Sequence, residues 1–139
     1  MKLQIVRPEQ DTVEGFNVVQ IPQPNTLELS SVVDNSCEVI LAPDAMDSFA
    51  PAGVGKLCEG LVSKLRLGGE ITLGGTDVRF FCKLTTNGVI SDSDACRIVN
   101  SIYAMSTSDM VVGALQQLGL NVVSVHMDGL HYEVKAVRG

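Results

Sequence analysis

Short apolar runs separated by prolines dominate the first half of the chain, and apolar residues at helical spacing follow them. Leu3-Gln4-Ile5-Val6 predicts a strand stopped by Pro8, which holds Arg7 extended and donates no backbone hydrogen bond. Phe16 to Ile21 predicts a second strand, closed by Pro22 and Pro24, and Thr26-Leu27-Glu28-Leu29 a short, edge-like third. Cys37 to Ala42 is nearly all apolar, the pattern of a strand buried on both faces. From Gly55 to Leu65, Leu57, Leu61, Val62 and Leu65 form one stripe of a helix, for which Gly68-Gly69 offers a left-handed stop. Glu70 to Leu73 predicts the next strand. Ser91-Asp92-Ser93-Asp94 and Ser106-Thr107-Ser108-Asp109 each open a helix with acidic residues where the helix dipole favours them, and Gly119 ends the second helix. Asn121 to Met127 and Tyr132 to Arg138 alternate around Asp128-Gly129, a hairpin signal. Strands alternating with helices before a terminal hairpin predict an α/β three-layer sandwich with a mixed sheet.

Composition narrows the function classes. The 139 residues, 45% hydrophobic and 19% charged, suit one folded domain over residues 1–139. A formal net charge of −6 gives nucleic acid or an anionic membrane no general attraction, and no apolar run reaches membrane-spanning length. The opening residues are too short for a signal peptide, so a cytoplasmic setting is expected. Low charge and apolar composition make a homodimer plausible. Cys37, Cys58, Cys82 and Cys96 form no C-x-x-C pair, so no metal site is expected, and Cys37 and Cys58 read as buried free thiols. His126, sharing a strand face with Val122 and Ser124, and His131 read as exposed, and Met105 and Met110 as core. Ala50 to Leu57 lacks the first glycine and the Ser/Thr of a phosphate loop, Gly74-Gly75 lacks the remaining glycine spacing, and no G-x-S-x-G elbow occurs.

Several segments, in order, resemble the small class I methyltransferase-like proteins that use S-adenosylmethionine (SAM). They are Met1 to Ile5, Glu14-Gly15-Phe16-Asn17-Val18-Val19, Asp34-Asn35-Ser36-Cys37-Glu38-Val39-Ile40, Leu65-Arg66-Leu67-Gly68-Gly69-Glu70-Ile71 and Gly75-Thr76-Asp77. Leu118 to Val123 and Tyr132 to Ala136 are similar to the family's last hairpin. The resemblance implies a Rossmann-like methyltransferase fold. It also implies a cofactor cleft at the carboxyl ends of the strands, whose remnant would involve Val6, Arg7, Gln20, Asp44 and Asp77.

The cofactor marks of that family are altered. Val6-Arg7-Pro8-Glu9 replaces the glycine loop that lets backbone approach the ligand. Gln20 stands where the family places a carboxylate for the ribose hydroxyls, Ser30-Ser31 replaces the acidic position near adenine, and Pro43 to Ser48 replaces a His-bearing segment. The first expectation is therefore a scaffold that has lost SAM and catalysis and works through protein or small-ligand contacts, with no cofactor. The alternative is an active SAM-dependent enzyme with an unorthodox loop, in which Asp44 or Asp77 serves as general base. A small polar or cationic ligand held by the Asp44, Asp47 and Asp77 carboxylates is a third reading. Against it, Asp44 and Asp47 read as caps of the following helix.

Overall fold

A computed structural model describes all residues 1–139. Six strands, Lys2–Val6 (β1), Asn17–Gln20 (β2), Cys37–Ala42 (β3), Leu65–Thr76 (β4), Leu120–Asp128 (β5) and His131–Arg138 (β6), form one sheet ordered β2-β1-β3-β4-β6-β5. The first four pair in parallel, and β6 lies antiparallel between β4 and β5. The helices are Val54–Lys64 (α1), Val78–Thr86 (α2), Asp92–Ser101 (α3) and Ser108–Gln117 (α4). None is long and apolar enough to cross a membrane. The α/β class, the mixed sheet and the terminal hairpin are as the sequence predicts.

Register shows where the core sits. Leu3 pairs with Ile40, Ile40 with Ile71 and Ile71 with Ala136, so these side chains share one face, and each is fully buried. Leu57, Cys58, Leu61 and Val62 of α1 and Val111 and Leu115 of α4 join the same cluster, placing both helices on that face. The opposite face carries the row Gln4, Leu41, Thr72, Lys135 and Ser124. Its covering layer is a loop over β1 rather than a helix. Gln4 Nε2 donates to the Asp11 carbonyl at 3.1 Å, Val13 N donates to Gln4 Oε1 at 2.8 Å, and the Lys2 ammonium lies 5.9 Å from the Phe16 ring centre. Farther along, the Glu70–Lys135 ion pair remains in solvent. An antiparallel edge tolerates such an open face.

Local details correct several expectations. Cys37–Ala42 mixes buried residues (Cys37, Ile40, Ala42) with half-buried ones, because only the helical face is fully covered. Thr26–Leu29 forms no strand: with no neighbouring strand to pair along it, only an isolated bridge joins Gln23 and Thr26. Gly68, at φ 79°, does not cap α1, which ends at Lys64 with Leu65 already extended. It serves a bulge instead, where β4 advances from Leu65 to Glu70 while its partner advances from Cys37 to Val39. A second bulge between Val122 and Ser124 puts Val122 on the helical face and Ser124 with His126 on the other. The hairpin turn centres on Gly129-Leu130, with Gly129 at φ 61°, because Asp128 still pairs with His131. Met110 is exposed. No helix is predicted over Val78–Thr86, where α2 starts with Asp77 as its N-cap.

Candidate functional site

The carboxyl ends of β1, β3 and β4 converge on a set of cross-linked loops. Residues 7–10 form a closed turn: Gln10 N donates to the Arg7 carbonyl at 3.1 Å, and Arg7 N donates to Gln10 Oε1 at 3.0 Å. Glu9 adopts φ 69°, a left-handed conformation that glycine would take more cheaply. Gln10 Nε2 reaches across to Asp44 Oδ2 at 2.9 Å. His131 Nε2 lies 3.0 Å from Asp44 Oδ1 and 2.6 Å from the Pro43 carbonyl, so the hairpin start is tied to the β3 loop. The expectation of an exposed His131 is thereby corrected, since it is half-buried, whereas His126 is exposed.

Asp47 sits deeper, 5% exposed, in a 3-10 turn at Ala45–Ser48. Its Oδ1 accepts Thr76 N at 2.7 Å, its Oδ2 lies 4.0 Å from an Arg7 guanidinium nitrogen, and its carbonyl accepts Tyr103 N and Ala104 N. Neither Asp44 nor Asp47 caps a helix through its side chain, since both carboxylates are drawn to partners distant in sequence.

Burial pushes the Asp47 carboxyl above the ordinary range, outweighing the Thr76 amide and Arg7. The folded state then holds a proton that the unfolded chain has released. The contribution of Asp47 to stability is therefore greatest below the ordinary Asp value of ~3.9 and declines as pH rises through the raised folded value. Asp47→Asn keeps an acceptor for Thr76 N and is expected to flatten that decline. Urea midpoints from about pH 3.5 to 6 measure it, and identical slopes in variant and parent would locate the effect elsewhere.

The remaining candidates are dispersed. Asp77, 1% exposed, accepts Arg79 N at 2.9 Å, Phe80 N at 3.1 Å and Ser108 N at 3.2 Å, so its carboxylate is spent joining α2 to α4. Val6 is buried in the sheet, where its carbonyl accepts Ile21 N at 2.8 Å. Gln20 is exposed at the end of β2. A cleft of about 340 Å³ between the β1 and β2 loops is lined by Arg7, Pro8, Ile21, Pro22, Gln23, Pro24 and Ser48. Of the five remnant positions, only Arg7 lines it. Its Nε is buried without a hydrogen-bond partner.

Two polar features escaped the sequence reading. Tyr132, fully buried on the helical face, shares a 2.5 Å hydrogen bond with Ser106 Oγ, and burial holds its hydroxyl far above the ordinary range. Gln10 carries no motif signal, because its partners become neighbours only when the sheet forms. Cys58 is buried, with its thiol pushed up to about 11 chiefly by desolvation, and so is inert as a nucleophile. No group of three or more His, Cys, Asp or Glu side chains is arranged to hold a metal ion.

No protein-family model matches the chain. No curated protein sequence matches it. Solved structures do. A SAM-dependent methyltransferase from Mesorhizobium loti superposes with TM-score 0.63 at 12% identity, covering 92% of this chain and 72% of that one. One from Archaeoglobus fulgidus gives TM-score 0.61 at 13% identity, covering 89% and 68%. A Burkholderia thailandensis 1,6-didemethyltoxoflavin-N1-methyltransferase, with bound 1,6-didemethyltoxoflavin and S-adenosylhomocysteine, gives 0.53 at 17%, covering 89% and 52%. The fold is thus the class I methyltransferase-like one, and the chain spans 52–72% of the length of these three structures.

Proposed function

We propose that this chain is a methyltransferase-fold protein that does not bind SAM and acts through contacts with other molecules. One observation carries the proposal: the Arg7–Gln10 turn is closed on itself and pinned to Asp44, and its arginine extends towards Asp47 across the strand ends.

The residues around that cleft suit SAM poorly. Its sulfonium is a cation, and the charged side chain lining the cleft is Arg7. Pro8, Pro22 and Pro24 supply no amide hydrogens to the methionine carboxylate. Gln20, which stands where the resembled family places a carboxylate for the ribose hydroxyls, is exposed and does not line the cleft. Asp44 and Asp77 are already bonded to neighbouring groups, which argues against either as a general base.

Surface for contacts is available on α2 and α3, which bury only Ala95 and leave Phe80 and Val99 exposed. Self-association through that surface would make the homodimer that the composition suggests. Titration of the protein with SAM and S-adenosylhomocysteine tests the proposal, with no saturable binding as the expected result.

A further inference from the structure

Beside α1, apart from the Arg7 cleft, lies an opening of about 550 Å³. Phe49 and Leu57 line it from the helical side, and Leu27 and Leu29 from the segment after β2. Residues 27–36 form neither helix nor strand; Val32 joins the core, while Leu27 and Leu29 stay partly buried at its edge.

Two polar residues, Asn25 and the exposed Lys56, line it. Asn25 is committed, accepting Ala50 N at 2.8 Å and donating to the Tyr103 hydroxyl at 2.8 Å. Lys56, in the first turn of α1, takes part in none of the protein's ion pairs. One helical turn on, Gly60 lines the same opening, and a Cβ built there meets nothing within 4 Å. Packing within the chain therefore does not require glycine at this position, although glycine weakens a helix interior relative to alanine.

We propose that this opening binds an amphipathic monoanion, an acyl carboxylate of about eight to ten carbons. The chain would lie against Leu27, Leu29, Phe49 and Leu57, with the carboxylate on Lys56 Nζ. Its 550 Å³ lies within the range of small-ligand pockets, roughly 300–1,000 Å³. Apolar walls disfavour a second charge, and the unpaired ammonium selects the sign of the first. The formal charge of −6 gives anions no general attraction, so preference for an anion must come from Lys56 itself.

Octanoate and 1-octanol, titrated separately into the purified protein by calorimetry, test this. Octanoate is expected to bind saturably at 1:1 and about fivefold more tightly than the alcohol. Lys56→Ala should erase the preference and leave 1-octanol binding unchanged. Gly60→Leu places a side chain in the opening and should abolish binding of both, while its thermal midpoint stays equal or rises. Three results would overturn the proposal: no saturable binding, equal affinity for the two ligands in the parent, or octanoate binding that survives Gly60→Leu. The opening shares no lining residue with the Arg7 cleft, so SAM binding with octanoate binding intact would overturn only the earlier proposal.

Discussion

Gly74→Ala is expected to cost the protein its fold, or at least more than about 4 kcal/mol, a midpoint loss on the order of 10 °C. An alanine Cβ at this position would lie against the Pro43 and Tyr132 carbonyl oxygens, far inside contact distance. Both obstacles are backbone, so no rotamer change relieves them. At Gly75 a Cβ would meet the Met46 Cβ at 2.8 Å and Asp47 Oδ1 at 3.2 Å. The two glycines thus let one loop, Pro43 to Asp47, press onto β4 at successive residues. That contact seats Asp47 on Thr76 N and brings Asp44 to His131. Thermal unfolding followed by circular dichroism measures the loss. Gly60→Ala provides the contrast: its Cβ enters open space in a helix, so its midpoint should equal or exceed the parent's. Equal midpoints for Gly74→Ala and the parent would mean that the loop does not pack on β4 in this way.

Asp77→Ala should lower stability by about 2–4 kcal/mol, combining a lost helix cap with a stranded buried amide. Its carboxylate accepts from Arg79 N and Phe80 N at the start of α2 and from Ser108 N at the start of α4. At 1% exposure, water cannot replace it. Asp77→Asn keeps the α2 acceptor but turns an NH2 group towards Ser108 N, so it should recover only part of the loss. Urea denaturation of the three proteins reads the order parent, Asn, Ala. Full stability in the alanine variant would show that Asp77 is not the joint between α2 and α4.

The sheet was largely legible because its strands are short apolar runs bounded by prolines and glycines, and such punctuation is local. Ser91 and Thr107 cap α3 and α4 where the sequence predicts helix starts. By contrast, α2 was hidden by its own cap. Asp77 looked like the acidic end of a strand, although Val78, Phe81 and Cys82 follow it at helical spacing. Thr26 to Leu29 has strand-like residues, but pairing needs a neighbour that propensity cannot supply. The carboxyl-edge site was legible in membership more than in role. Arg7, Asp44 and Asp47 do meet there, yet their partners Gln10, Thr76 and His131 lie far away in sequence and become visible only through the strand order. Gln20 and Val6 fell on the right strand ends with their side chains outside the cleft lining.

Calorimetric titration of the purified chain with SAM, and separately with S-adenosylhomocysteine, tests the central claim most directly. With the carboxyl-edge cleft lined by Arg7 and three prolines, both titrations should give only heats of dilution up to about 1 mM ligand. Saturable binding of either compound with a micromolar dissociation constant would contradict the claim and make this chain a cofactor-binding member of the fold.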